Sequence, residues 1–395
     1  MWLPVHYTIA SLAVGAAASA VSPRKACGPI TLSANLAALL FNLLTVRAWL
    51  GGLATPVLFG VPVILDPLSC VALVLVSTLA SACAAYSVFK IGAEDPHVRT
   101  YYVLYNLLII SLSMVTVVRN ALLLYVFFEL ITFSAILLVG HRRDSKALEA
   151  SVKYLFVCAA SSALSLIGFA ILLSRVHVLD LLTLGQALSE SHLSPLEAKL
   201  CLYSLLLGFG VKAGLVGLHF FIPDAYGEAP PPISALMHIT LPGNYSIIRI
   251  LTALQPLMLP KDQLIISLAG ILTVYTGALM TLASKDVKRM VACVAIEGSG
   301  YIILSSSLGT PYSIAAASLC LVNFSLIESA LFLAVGAVHS ETGTRQVDQL
   351  GGLFKAMPVT AWLFIASALA ISGVPPFGGF TACLLYTSPS PRDRG

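Results

Sequence analysis

About a dozen apolar stretches, each near the ~20 residues a bilayer crossing requires, recur along the chain. This constrains the fold more than any motif. A segment placed in hydrocarbon must satisfy its own backbone hydrogen bonds, which leaves helices or closed barrels. Runs of this length, without alternation of apolar and polar residues, are helical. The expected spans are 3–21, 29–46, 68–89, 101–118, 120–140, 152–173, 201–222, 233–254, 264–283, 290–308, 312–338 and 359–380. The fold class is therefore an all-α polytopic membrane protein with about 12 transmembrane helices. Composition agrees, because 58% of the 395 residues are hydrophobic and only 10% are charged, too apolar for a soluble domain of this size.

The first span has no basic n-region, so it is expected to be retained rather than cleaved. Residues 51–67, rich in Gly, Pro and Val, are expected to form a short surface hairpin, and the polar stretch holding Asp180, Glu190, His192 and Glu197 a surface helix. Loop charge orients the bundle. One set of alternate loops carries about twelve Lys and Arg against about five in the other. That places the first set, with Lys285, Lys288, Arg289, Arg345 and Lys355, in the cytoplasm and the N-terminus outside a cell membrane. A net charge of +4 gives no reason to expect nucleic acid. The eight cysteines form no CxxC pair and no Cys/His cluster, so neither a metal site nor a disulfide framework is expected. No cofactor-binding fingerprint occurs, and no cofactor is assigned to the chain. Residues 384–395 turn abruptly to Ser, Pro and Arg and read as a non-native tail.

Ionisable residues inside apolar spans are rare, and they mark ion pathways or buried pairs. Lys212 lies near the middle of the apolar segment that opens SLLLGFGVKAGLVGLHFFIPDAYGEAPPPISALMH, and a helix is expected to break further on at Pro223-Asp224. Glu129 sits near the centre of the fifth span. A Glu–Lys pair in a low dielectric changes its protonation as the partners separate, so it can gate a proton; the plainer alternative is a static interhelical pair. Glu328 in the eleventh span is a third buried acid, and Glu297 lies beside a Gly-rich stretch expected to kink. His219 and His238 border the broken region, where histidine suits a proton relay or a simple hydrogen bond. Lys153 sits about one turn inside the sixth span and is expected to snorkel to the cytoplasmic surface. Acids and bases spread over separate spans point to ion conduction rather than chemistry on a substrate.

At these motifs the chain resembles a known family. GFGVKAGLVGLHFFIPDAYGEAPPPISALMH is similar to the signature of the antiporter-like membrane subunits. They are shared by respiratory complex I (NADH:quinone oxidoreductase), Mrp-type cation/proton antiporters and energy-converting membrane-bound hydrogenases. FFELITFSAILLVG, SKDVKRMVACVAIEGSG, TGTRQVDQLGGLFKAMPVTA and ALAISGVPPFGGF agree with it. The resemblance implies a fourteen-helix fold with two inverted five-helix repeats, each holding one broken helix. Mapped onto this chain, it gives N-terminal helices over 1–100, a first repeat over 101–254 and a shortened second repeat over 264–383. It implies that Glu129 and Lys212 form the gating pair, that His238 is a relay histidine, and that a mid-membrane polar chain follows. Two positions depart from the family pattern. LPGN lacks the usual lysine before Tyr245 and Arg249, leaving Asn244 or His238 to serve, and NFSLIE carries Glu328 where the family has lysine. The family's exit lysine falls near Cys383.

The resemblance implies partners: other membrane subunits of a multi-subunit complex, and peripheral redox subunits. The implied function is proton translocation in a redox-driven complex. The alternatives are a Na⁺/H⁺ antiporter subunit of the Mrp type and a non-conducting assembly scaffold.

Overall fold

The computed structural model describes residues 4–52, 57–58, 60–92, 94–237 and 242–387. The chain is mostly helical, at 81%. The helices are α1 (Pro4–Val21), α2 (Arg24–Leu50), α3 (Pro67–Lys90), α4 (Val98–Val117), α5 (Ala121–Val139) and α6 (Ser145–Ile171). They continue as α7 (Leu184–Glu190), α8 (Pro195–Lys212), α9 (Ile222–Glu228), α10 (Pro231–Met237), α11 (Pro242–Ala253) and α12 (Pro260–Ala283). The last are α13 (Val287–Ser307), α14 (Pro311–Thr342), α15 (Leu353–Ala356), α16 (Pro358–Ile371) and α17 (Gly378–Thr387). The expected hairpin is present as β1 (Val57–Leu58) paired antiparallel with β2 (Val61–Pro62), and α7 is the expected surface helix.

Among the described residues nine helices are long and apolar enough to cross a membrane, where about twelve spans were expected. The difference has a physical cause. The seventh and twelfth expected spans are each covered by two helices, α8 and α9, and α16 and α17, while the eighth runs through residues outside the described ones, between α10 and α11. α8 is long enough, but it carries Glu197, Lys199 and Lys212.

The chain divides into two compact units, Met1–Leu155 with Glu228–Met237, and Phe156–Gly227 with His238–Gly395. Small residues and interhelical hydrogen bonds hold the first together, as expected where apolar burial does not distinguish lipid from protein. A Cβ added at Gly15 would lie 2.6 Å from the Ala34 methyl, so α1 and α2 are in close backbone approach. Thr8 Oγ1 donates to Asn42 Oδ1 at 2.7 Å and Asn106 Nδ2 to Thr31 Oγ1 at 3.1 Å, tying α1, α2 and α4. Outside the spans, Asp95 meets His141 Nε2 at 2.9 Å. Burial pushes the Asp95 carboxyl up, but the His97 N–H and the His141 ring outweigh it and hold it below the usual carboxylate range.

The second unit follows the same rule. A Cβ at Gly208 of α8 would fall 2.0 Å from Ser165 Oγ of α6, and one at Gly300 of α13 only 2.6 Å from the Val274 nitrogen of α12. The Gly-rich stretch after Glu297 therefore does not kink as expected. α13 runs unbroken through Gly298 and Gly300, because those glycines admit neighbouring helices.

Candidate functional site

The centre of the second unit is the end of α8. The helix starts on a capping box, in which Ser194 Oγ accepts from the Glu197 N–H while Glu197 accepts from the Ser194 N–H. Pro195 fills its first position. It ends at Lys212, one turn before two glycines with left-handed backbone, Gly214 (φ 78°) and Gly217 (φ 86°). The break thus lies within residues 213–221, not at Pro223-Asp224 as the sequence suggested. Pro223 instead occupies the first turn of α9, where a missing N–H does no harm. The Val216 N–H after the break donates to Thr273 Oγ1 of α12 at 3.0 Å, which anchors the non-helical stretch.

Lys212 is 8% exposed and sits in the last turn of α8. Gly243, in the first turn of α11, packs on the same point: its Cβ would lie 2.4 Å from the Lys212 carbonyl oxygen. The carbonyl end of α8 therefore abuts α11 at Gly243.

The next residue, Asn244, is fully buried and donates from Nδ2 to Ser299 Oγ of α13 at 2.7 Å. Its Oδ1 has no hydrogen-bond partner among the described residues. Beside Ser299, Gly298 leaves room for Glu328 of α14. Glu328 Oε1 lies 2.8 Å from where a Gly298 Cβ would stand, and the residue is 0% exposed. Asn244 and Ser299 are thus joined directly, while the residues next to them in the chain, Gly243 and Gly298, pack on the Lys212 backbone and on the Glu328 carboxyl. Glu297 is half-buried in the α12–α13 seam, where a Cβ at Gly277 would meet its nitrogen at 2.5 Å. His219 is half-buried in the stretch after the break; its ring bonds the Leu215 backbone, and Nδ1 has no partner among the described residues.

The remaining expected residues lie elsewhere. Glu129 is half-buried on α5 in the first unit, whereas Lys212 belongs to the second. Lys153 is exposed on α6 and pairs with Glu149 at 2.8 Å, one turn back along the helix. His238 lies outside the described residues. Among the described residues no group of three His, Cys, Asp or Glu could hold a metal ion.

Sequence reasoning missed Ser299 and a set of ion pairs. Asp262, 1% exposed, is ion-paired with Lys199, accepts from Tyr203 OH at 2.8 Å and caps α12 through the Leu259 N–H. Asp224 meets Arg289 at 3.1 Å, and Asp286 meets Arg345 at 3.2 Å. Glu228, 3% exposed, lies 3.7 Å from Arg142. Lys199 and Asp262 stand at the starts of two helices far apart in sequence, and no spacing rule connects them.

The sequence profile of the NADH:quinone oxidoreductase/Mrp antiporter transmembrane family matches residues 119–387. The chain is 31% identical to a hydrogenase-4 component F homolog of Methylacidiphilum infernorum (isolate V4), over 82% of this chain and 72% of that protein. It is 32% identical to a Na(+)/H(+) antiporter subunit of Bacillus subtilis (strain 168), over 84% of this chain and 67% of that one. Its fold matches a chain of the membrane-bound sulfane sulfur reductase, an archaeal respiratory membrane complex, with a TM-score of 0.87 at 24% identity, covering 97% of this chain and 80% of that one. The chain belongs to the antiporter-like transmembrane subunits of the NADH:quinone oxidoreductase/Mrp antiporter family.

Proposed function

We propose that this chain translocates protons as a membrane subunit of a redox-driven complex. The observation that carries the reading is the buried string of Lys212, Asn244, Ser299 and Glu328 in the second unit. Asn244 donates to Ser299, and the glycines beside them in the chain, Gly243 and Gly298, pack on the Lys212 backbone and on the Glu328 carboxyl, which gathers one basic, one amide, one hydroxyl and one acidic group. Such a string is costly to bury, and in membrane helices it marks an ion pathway. In this reading Lys212 is the switch. It holds its proton while a carboxylate is near and releases it when that partner withdraws. Glu129 is the proposed partner, as the family resemblance implies.

Asn244 or His238 serves in place of the family's lysine, and the Asn244 Oδ1, which has no partner among the described residues, is open to a proton donor. Glu328 takes the proton onward, with His238 as a further relay residue and Lys153, His219 and Glu297 as secondary candidates. The redox centres are assigned to partner subunits and none to this chain. The chain is placed in the cell membrane with its N-terminus outside.

The test is proton pumping by the assembled complex in sealed vesicles. Lys212→Ala and Glu328→Gln are each expected to abolish pumping while electron transfer and assembly persist. Wild-type pumping by either variant refutes the route. The 32% likeness to a Na(+)/H(+) antiporter subunit favours cation/proton antiport as the second reading. Co-purification from native membranes separates the two: stoichiometric iron–sulfur, flavin or nickel subunits support the redox-driven reading, and hydrophobic partners alone support antiport.

A further inference from the structure

The stretch that joins α8 to α9, residues 213–221, contains two glycines with left-handed backbone, Gly214 and Gly217. Glycine is the residue least restricted by its own sterics, so a stretch of this kind needs an outside hold to keep one shape. Most of its hydrogen bonds are local. The Ala213 N–H donates to the Phe209 carbonyl at 3.0 Å, the Gly214 N–H to Val211 at 3.1 Å, the Leu215 N–H to Gly210 at 2.8 Å and the Leu218 N–H to Leu215 at 3.1 Å. Among the described residues, the hydrogen bond that ties residues 213–220 to a helix other than the two they join runs from the Val216 N–H to Thr273 Oγ1 of α12, at 3.0 Å.

Thr273 is placed as a fixed acceptor. It is fully buried, and its hydroxyl proton goes to the Ala269 carbonyl at 2.7 Å, one turn back along α12, which leaves a lone pair for Val216. α12 itself is set closely against α13. Gly270 and Gly277 share the buried face of Thr273, one turn to either side; a Cβ at the first would lie 2.8 Å from the Leu304 nitrogen, and one at the second 2.5 Å from the Glu297 nitrogen. The same α13 carries Ser299. The hold reaches Lys212 over a short path. The bond from Leu215 to Gly210 folds the chain back onto the last turn of α8, so a shift at Val216 is passed to the helix end that holds Lys212.

We infer that Thr273 is a positioning residue for Lys212: it pins the helix break to the α12–α13 pair and so fixes the end of α8. The inference rests on the reading of Lys212 as the switch. A threonine in a membrane helix commonly bonds its own backbone and nothing else, as Thr276 does with the Leu272 and Thr273 carbonyls. The bond from Val216 is what sets Thr273 apart.

The test uses the assembled complex in sealed vesicles with two readouts. Hydrogen–deuterium exchange of peptides covering residues 213–221, followed by mass spectrometry, reports the pin without reference to pumping. Proton pumping normalised to electron transfer reports the function. Thr273→Val removes the acceptor and is expected to speed exchange in that stretch and to lower pumping, each about tenfold. Thr273→Ser keeps the hydroxyl and is expected to restore both, and Thr276→Val to change neither. Thr273→Ala removes the same hydroxyl without setting a methyl against the Val216 nitrogen, and it replaces Thr273→Val if that variant does not assemble. Unchanged exchange in the variant lacking the hydroxyl overturns the pin. Where Lys212→Ala abolishes pumping, faster exchange beside wild-type pumping overturns the positioning role. Wild-type pumping in Lys212→Ala overturns the switch itself and the positioning role with it, and the exchange result then tells whether the pin alone stands.

Discussion

Gly243→Ala probes the relay at its tightest point. The added methyl would stand 2.4 Å from the Lys212 carbonyl oxygen and 2.8 Å from the Ala213 Cα, and both obstacles are backbone. Neither can swing aside as a side-chain end would, so α8 or α11 must move. Reaching an ordinary 3.4 Å contact takes a shift of about 1 Å. The neighbouring Asn244–Ser299 bond is 2.7 Å, and a shift of that size carries it beyond hydrogen-bonding range. Overpacking of this kind costs roughly 1–3 kcal/mol. If about 1.4 kcal/mol of that falls on the transfer step, the rate drops about tenfold. The assay is acidification of sealed vesicles by the assembled complex, read with a pH-sensitive dye and normalised to electron transfer. Ser299→Ala serves as the comparison, because it removes the acceptor without moving a helix. Wild-type pumping in Gly243→Ala, with the complex intact, would show that the α8–α11 junction does not position the relay.

Other expectations follow from groups outside the relay. Removing one member of the buried Asp262–Lys199 pair leaves the other charge uncompensated. Lys199→Ala is expected to destabilise the protein by about 3 kcal/mol, whereas Lys199→Met with Asp262→Leu should cost much less; thermal inactivation of the purified protein compares them. The Asp95 carboxyl is held below its ordinary value, so its contribution is present above the unfolded value near pH ~3.9 and fades as pH falls through the folded one. Asp95→Asn should therefore lower stability slightly at neutral pH, by no more than about 1 kcal/mol, and flatten the loss of stability below about pH 4 in an acid titration of thermal stability.

Membrane residence followed from the sequence because span length and apolar content are local quantities, summed without reference to neighbours. The hairpin at Val57–Pro62 and the surface helix at Leu184–Glu190 were legible for the same reason. Lys212, Glu129 and Glu328 could be singled out in sequence because a charge inside an apolar run stands out against its background. The sequence also located a break after Lys212, but it assigned the break to Pro223. A proline in a first turn is harmless, and only the backbone angles reveal that Gly214 and Gly217 end the helix. It read Gly298 and Gly300 as a kink, whereas their role is set by Glu328, Phe324 and Val274 on other helices.

Ser299 and Asp262 carry no local mark at all. A serine in a membrane helix usually bonds its own backbone, and an acid in a first turn usually caps its own helix. Each acquires its further role only when packing sets it against Asn244 or Lys199. The sequence by itself therefore determined the solvent, the number of apolar stretches and the identity of the charged residues inside them. The tertiary structure alone decided which of those residues meet, because a contact between helices depends on backbone approach, and that depends on small residues whose partners lie far away in the chain.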